Sequence, residues 1–165
     1  MWKRLKLINL QLNFNTISSY KNVSHVSTGN DNTIWIYNQD TSELEVYDYL
    51  NNKTRVKTLP IAENVLDITS NFNFCWLLTQ DNLYCYNYFG SLVYKIPNTG
   101  YTKIKENNDN IILKRENALH FLKKNTTIIE ALNLDELLIN QFLLTNETLY
   151  IYDSNKLHSY QLKID

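Results

Sequence analysis

A short phrase, in which leucine is followed three positions later by an aromatic residue or leucine, returns four times along the chain. The phrases are Leu44-Glu45-Val46-Tyr47, Leu83-Tyr84-Cys85-Tyr86, Leu119-His120-Phe121-Leu122 and Leu157-His158-Ser159-Tyr160. Their leucines are 39, 36 and 38 residues apart. A repeat of about 40 residues in a strand-rich sequence is typical of β-propellers, in which each repeat is a blade, a small four-stranded sheet. The spacing therefore predicts an all-β, β-propeller-like array of about four four-stranded blades.

The repeats cover approximately residues 20–60, 61–97, 98–131 and 132–165, and we interpret 1–165 as a single propeller-like domain. The predicted strands are Val23–Thr28, Thr33–Asn38, Glu43–Tyr49 and Arg55–Leu59; Val65–Ser70, Phe74–Thr79, Asn82–Phe89 and Leu92–Ile96; Tyr101–Lys105, Ile111–Arg115, Ala118–Lys123 and Thr127–Ala131; and Gln141–Leu144, Leu149–Tyr152 and Lys156–Leu162. Pro60 and Pro97 are expected to close the outermost strands of the first two repeats, since proline removes a ladder donor. Glycine is scarce, so Asn and Asp are expected to form the turns.

One segment, Ile128–Leu144, has apolar residues near helical rather than strand spacing. These residues are Ile129, Leu132, Leu134, Leu137 and Leu138. We therefore expect a short helical turn at Asn133–Leu138 between the third and fourth blades.

The fourth repeat has no outermost strand, because the sequence ends at Asp165. Residues 5–12 form a strand-like segment with no partner in their own repeat. Pairing of this segment with the last blade would close a small ring and hide two exposed sheet edges. The alternative is an open arc of a larger propeller, completed by missing residues or by another copy of the chain. The sequence leaves both arrangements open.

Charge and motif content exclude several classes of function. The net charge is −1, from 16 basic and 17 acidic residues, which argues against nucleic acid as a partner. No segment approaches the roughly 18 apolar residues that a membrane span needs. The zinc, calcium, phosphate-loop and nucleophile-elbow motifs are all missing from the sequence. We therefore predict no catalytic residue, no metal and no cofactor, and an enzyme is the less favoured class.

Cys75 and Cys85 lie on the two arms of one predicted hairpin. The expected register places Cys75 nearer Asn87 than Cys85, so a disulfide is not expected. Buried free thiols are the usual state of such cysteines.

Dense aromatic residues give the main candidate binding site. They occur in Tyr47-Asp48-Tyr49 and Tyr86-Asn87-Tyr88-Phe89. Tyrosines at an exposed rim suit contacts with protein or sugar, although packing between blades would also explain them. The predicted binding residues are Tyr47, Tyr49, Tyr88 and Phe89, with His25 added because it lies on an inner strand that would line a central channel. His120 and His158 occupy equivalent positions in two repeats, which favours structural or surface roles.

Three phrases carry a resemblance to a known family. They are Asn32-Thr33-Ile34-Trp35-Ile36-Tyr37, Asn82-Leu83-Tyr84-Cys85-Tyr86-Asn87-Tyr88-Phe89-Gly90 and Lys156-Leu157-His158-Ser159-Tyr160. Over roughly residues 20–162 the chain resembles NHL/YVTN-like β-propeller proteins of Bacteroidota, and it lacks the Trp-Asp signature of WD40 blades. The resemblance implies that the chain corresponds to the C-terminal blades of longer proteins, which favours the open arc. It also implies a place in the cell envelope, periplasmic or associated with the outer membrane; without it, the cytoplasm is expected.

These observations lead to a first hypothesis of function and two alternatives. The first is a non-catalytic protein-binding or scaffold module, in a cell-envelope complex if the resemblance holds. Its partner would be another protein or further copies of itself. The alternatives are a propeller enzyme or carbohydrate-binding lectin that uses the central channel, and a structural fragment whose function resides outside this chain.

Overall fold

Antiparallel strands joined by short turns make up residues 21–134 and 137–162, which are the residues that the computed structural model describes. The strands are β1 (Val23–Thr28), β2 (Thr33–Asn38), β3 (Glu43–Asp48), β4 (Lys53–Lys57), β5 (Val65–Ser70), β6 (Phe74–Thr79), β7 (Asn82–Asn87), β8 (Leu92–Pro97), β9 (Lys103–Asn107), β10 (Asn110–Arg115), β11 (Ala118–Leu122), β12 (Ile129–Ala131), β13 (Gln141–Leu144), β14 (Thr148–Asp153) and β15 (Lys156–Gln161). They form four sheets in chain order, β1–β4, β5–β8, β9–β12 and β13–β15. The predicted all-β array of blade-like sheets is confirmed.

Every predicted strand lies within two residues of an observed strand at either end. β4 and β9 are shifted by two residues at both ends, and β9 begins at Lys103 rather than at Tyr101. The cause is Asn98, whose Oδ1 accepts a hydrogen bond from the Tyr101 backbone N–H at 2.7 Å while its Nδ2 donates to the Tyr101 carbonyl at 3.0 Å. This side-chain-supported turn keeps Tyr101 out of the ladder.

The helical turn expected at Asn133–Leu138 is not found in the described residues. Ile129–Ala131 is strand β12 and Gln141–Leu144 is strand β13, while Asp135 and Glu136 lie outside the described residues. Three leucines of this segment pack against the buried layer between the third and fourth sheets: Leu132, Leu134 and Leu137. Their helix-like spacing reflects contact with this layer by an irregular connection.

The sheets stack face to face in chain order, and each neighbouring pair encloses one layer of buried side chains. Between the first and second sheets the layer includes Trp35, Leu44, Val46, Val65, Cys75, Leu77 and Tyr86. Between the second and third it includes Trp76, Leu78, Leu83, Cys85, Ile104, Ile111 and Leu113, and between the third and fourth Ile112, Leu119, Leu144, Leu149 and Ile151. The inner strands β1, β5, β9 and β13 follow one another, so the described residues form an arc of four sheets.

The repeated leucine is the second residue of the third strand in every sheet, and its side chain faces the sheet that follows. Leu44, Leu83 and Leu119 are accordingly buried, whereas Leu157 is 68% exposed because no described sheet follows the fourth. In the described residues the fourth sheet has three strands and no outermost strand. The segment 5–12 lies outside the described residues, so its pairing with the last blade stays a prediction.

Both cysteines are buried free thiols, as expected. The register differs from the expected one by a residue, since Cys75 pairs with Tyr86 and Cys85 with Trp76. Cys75 faces the first sheet and Cys85 faces the third. Their position on opposite faces of one sheet prevents a disulfide between them.

We predict that replacing equivalent leucines has unequal effects on stability. Leu44→Ala leaves a cavity between two sheets and should lower the free energy of unfolding by about 2–5 kcal/mol. Leu157→Ala removes an exposed side chain and should change it by less than about 0.5 kcal/mol. Urea unfolding at low protein concentration measures both values, and similar losses for the two variants would contradict the arc.

Candidate functional site

The turns of the antiparallel sheets alternate between the two ends of the arc. The turn between the first and second strands of each sheet lies at the same end as the turn between its third and fourth strands. We call this end the loop face, and define it by turn residues 29–32, 49–52, 71–73, 88–91, 108–109, 123–128 and 145–147. Asn30 Nδ2 donates to the Phe72 carbonyl at 3.4 Å and the Tyr88 N–H donates to the Asn73 carbonyl at 2.9 Å, so turns of this end are in contact.

Large apolar side chains are exposed on four loop-face turns. They are Leu50, Phe72, Phe89 and Ile128, with Phe89 the most exposed at 78%. Single exposed apolar residues are ordinary, but several at one end of a protein indicate a contact surface.

Three predicted binding residues belong to turns of the loop face. Tyr49 is half-buried, with its hydroxyl 3.5 Å from Asn32 Oδ1. Tyr88 is also half-buried, and the Phe89 ring lies edge-on to the Tyr88 ring at a centroid distance of 5.9 Å. Tyr88 therefore supports the exposed ring of Phe89 from beneath.

The other two predicted residues lie elsewhere. Tyr47 is only 5% exposed and lies on the face of the first sheet that points away from the second sheet. Its hydroxyl donates to Asn52 Oδ1. Its burial excludes it from an exposed rim. His25 lies on the inner strand β1, half-buried, with Nδ1 2.8 Å from the Ser24 hydroxyl oxygen.

A buried carboxylate organises the β3–β4 turn. Asp48 Oδ1 accepts hydrogen bonds from the backbone N–H groups of Leu50 at 3.1 Å and Asn51 at 2.9 Å. Its Oδ2 accepts from Asn51 Nδ2 at 2.7 Å and from Arg55 Nε and Nη2 at 2.8 and 2.6 Å. The Asn51 hydrogen bonds, together with the Arg55 guanidinium, hold the pKa of Asp48 well below its usual range.

The same arginine connects the first sheet to the aromatic pair on the second. Arg55 Nη1 donates to the Tyr88 hydroxyl at 3.1 Å. Asn87, which ends β7 as Asp48 ends β3, accepts hydrogen bonds through Oδ1 from the N–H groups of Phe89 at 3.0 Å and Ser91 at 2.9 Å. Both the backbone and the ring beneath Phe89 are therefore fixed before any partner binds.

A cleft of about 640 Å³ between the second and third sheets opens at the loop face. Its apolar lining comprises Phe74, Trp76, Val93, Ile111, Leu122 and Ile128, and its polar rim comprises Asn73, Asp109, Lys123, Lys124 and Thr126. Trp76 Nε1 donates to the Tyr94 hydroxyl at 2.7 Å, and the Phe74 and Trp76 rings lie 5.8 Å apart. The outermost strand of the third sheet, β12, has three residues, whereas β8 on the neighbouring sheet has six.

Acidic partners already neutralise the lysines of the rim. Lys124 Nζ lies 2.8 Å from Asp109 Oδ2, and Lys123 Nζ lies 2.8 Å from Glu130 Oε1. Burial raises the pKa of the Cys85 thiol, which lines the cleft, to about 12, so this thiol stays protonated and unreactive at neutral pH. The cleft therefore offers an apolar surface whose rim lysines are paired with acidic residues.

Sequence reasoning missed this cleft. The only local signal is the polar run Lys123-Lys124-Asn125-Thr126-Thr127, which lies in the turn between β11 and β12, a turn longer than the one between β7 and β8. A polar run of this kind predicts a long turn, but the space that it leaves uncovered depends on the neighbouring sheet.

The histidines do not form a common site. His120 is buried edge-on to the Tyr101 ring at 5.2 Å, and burial lowers its pKa, with a further contribution from Arg115. His158 lies on the fourth sheet, with Nε2 3.8 Å from Asp153 Oδ2. Within residues 21–134 and 137–162, no three His, Cys, Asp or Glu side chains are placed to hold a metal ion. The same residues contain no helix of the length and apolarity that a membrane crossing requires.

No family model matches the sequence, and comparison with curated proteins gave no significant match. Solved β-propeller structures, in contrast, are clearly similar to it. Hsv2 of Kluyveromyces lactis matches with a TM-score of 0.69 and 9% identity, over 87% of this chain and 49% of that chain. BamB from Moraxella catarrhalis matches with a TM-score of 0.60 and 15% identity, over 80% of this chain and 41% of that chain.

The computationally designed Ika4 protein matches over nearly the full length of both chains. Its TM-score is 0.67 at 6% identity, with 90% of this chain and 96% of that chain covered. At these identities the similarities concern the fold. The chain thus has a β-propeller fold and spans about half the length of the Hsv2 structure that it matches.

We predict that the free energy of unfolding of Asp48→Asn changes less with pH in the acidic range than that of the wild type. Because folding depresses the pKa of Asp48, its stabilising contribution is complete above the unfolded pKa of about 4 and is lost as the pH falls through the folded value. The variant should be less stable than the wild type at pH 7, and the difference should shrink below about pH 4.

Urea unfolding measured from pH 7 to pH 2 checks this expectation. Asp31→Asn, at an exposed left-handed turn position of the same sheet that asparagine also tolerates, is the matched control. A stability difference between wild type and Asp48→Asn that stays constant with pH would contradict the role given to the carboxylate.

Proposed function

We propose that this β-propeller chain is a non-catalytic protein-binding module that holds its partner on the loop face. The observation that carries the proposal is the exposed Phe89 ring, which rests on Tyr88 and whose backbone is held by Asn87. Aromatic anchors near the centre of a protein interface often supply much of its binding energy.

Pre-organisation is the source of affinity in this proposal. Arg55 and Asn87 already hold the groups around Phe89, so binding orders few additional bonds. Removal of the Phe89 ring from water would contribute about 1.5–3 kcal/mol. Leu50 and Phe72, exposed on neighbouring turns, extend the apolar contact on either side.

The cleft between the second and third sheets would accept an apolar side chain of the partner. Phe74 and Trp76 offer ring surface, and the rim lysines are already paired with Asp109 and Glu130. The partner is therefore held through apolar contact rather than through charge, and binding should depend only weakly on salt.

A scaffold subunit of a cell-envelope complex is the setting that we propose. Its support is the resemblance of the repeat phrases to NHL/YVTN-like propeller proteins of Bacteroidota. Tyr49, Tyr88 and Phe89 are the binding residues of this proposal, with Phe89 at its centre.

We predict that Phe89→Ala removes partner binding without lowering stability. Affinity-tagged wild type and variant are used to capture proteins from cells that produce the chain naturally, and captured proteins are quantified by mass spectrometry. A partner held by Phe89 should fall by about tenfold or more, since a central aromatic residue contributes 2 kcal/mol or more.

The control variant is Leu59→Ala, which truncates an 86% exposed side chain at the opposite end of the arc. It should capture the same proteins as the wild type. Equal capture by Phe89→Ala, with an unchanged thermal unfolding midpoint, would contradict the loop face as the binding surface.

A further inference from the structure

Within the described strands β13–β15, the face of the fourth sheet that points away from the third sheet has no charged residue. In β13–β15, Gln141 pairs with Tyr152 and Tyr152 with Leu157, while Leu143 pairs with Tyr150 and Tyr150 with Ser159. Residues paired in this way share a face, and the alternate residues Leu149 and Ile151 face the third sheet. The outward face comprises Gln141, Leu143, Thr148, Tyr150, Tyr152, Leu157, Ser159 and Gln161.

Much of this face is apolar and open. Leu157 is 68% exposed, Leu143 59% and Tyr152 44%, and with Tyr150 they line a shallow hollow of about 360 Å³. One fifth of the whole chain is charged, so a sheet face without charge is unusual for a surface left in water. Depletion of charge with enrichment of tyrosine is typical of the buried centre of an interface.

The outward face of the first sheet, unlike that of the fourth, is not open to a second copy. On the face of the first sheet that points away from the second, Ile36 is 2% exposed, Glu45 0% and Tyr47 5%. A head-to-tail contact would need this face open, and the burial of these side chains argues against it. The remaining arrangement for two copies is a two-fold contact in which both contribute the same surface.

We propose that the chain forms a symmetric dimer by packing the outward face of its fourth sheet against the same face of a second copy. An uncharged face is complementary to itself, because no like charges meet across the two-fold axis. The Leu143 and Leu157 side chains are withdrawn from water, while the tyrosine hydroxyls and glutamine amides supply hydrogen bonds across the contact.

The small size of the face favours a weak dimer over a tight one. Three strands about 4.8 Å apart and about 3.3 Å long per residue give a footprint of roughly 300 Å² per copy. A standard interface buries about 800 Å² per partner, so the dimer is a weak one. Its dissociation constant is expected on the order of tens to hundreds of micromolar.

Sedimentation velocity of the full chain, from about 5 to 500 µM, tests the proposal over this range. The wild type should shift from monomer towards dimer as concentration rises. Leu157→Lys places a charge in the contact and should weaken association by about tenfold or more. Leu59→Lys, at an 86% exposed leucine that follows β4 on the first sheet, is the matched control and should associate as the wild type does.

A cross-linking measurement identifies the face directly. Ser159→Cys lies on the proposed contact, and Cys75 and Cys85 are buried, so a short bis-maleimide should join copies through the new thiol. Thr41→Cys, on the exposed β2–β3 turn, should give little cross-linked dimer.

Two outcomes would overturn the proposal. A wild type that stays monomeric over the whole range would mean that the face is covered by other residues of the same chain, such as 5–12, or by a different protein. Association of Leu157→Lys equal to that of the wild type, with its fold verified by circular dichroism, would place the contact elsewhere.

Discussion

Face-to-face packing of small apolar sheets is the interaction on which the rest of this structure depends. Each sheet is too thin to bury its own apolar side chains, and only the neighbouring sheet removes them from water. Leu44, Leu83 and Leu119 perform this task at three successive sheets. The loop face and the cleft exist because this packing places turns of different sheets side by side.

The loop face shows how polar interactions refine a surface that apolar packing has placed. Asp48 and Arg55 fix one turn, and the same arginine reaches the Tyr88 hydroxyl on the next sheet. A charge-assisted contact between the two sheets therefore limits the motion of the ring beneath Phe89. Buried ionic groups of this kind are costly to leave unpaired, so they favour one arrangement over its alternatives.

The sequence predicted the sheets well because alternation and repeat spacing are local properties of a strand. It failed where the outcome depends on another sheet. Leu132, Leu134 and Leu137 have helical spacing but pack as an irregular connection, since the layer beneath them decides their positions. Tyr47 and Phe89 are both aromatic residues near the end of a third strand, yet one is buried and the other exposed. Part of the candidate surface was therefore predictable, whereas the cleft was not.

Among the described residues, the main contacts between inner strands join sheets that are neighbours along the chain. We therefore expect the protein to behave as a one-dimensional array. The second and third sheets are each enclosed on both sides, so their backbone amides should exchange hydrogen most slowly, while the fourth sheet should open first. Such an arrangement also tolerates gain or loss of a terminal sheet, because only one buried layer between sheets changes. Growth by tandem duplication is therefore open to this chain in a way that it is not to a fold with a single shared core.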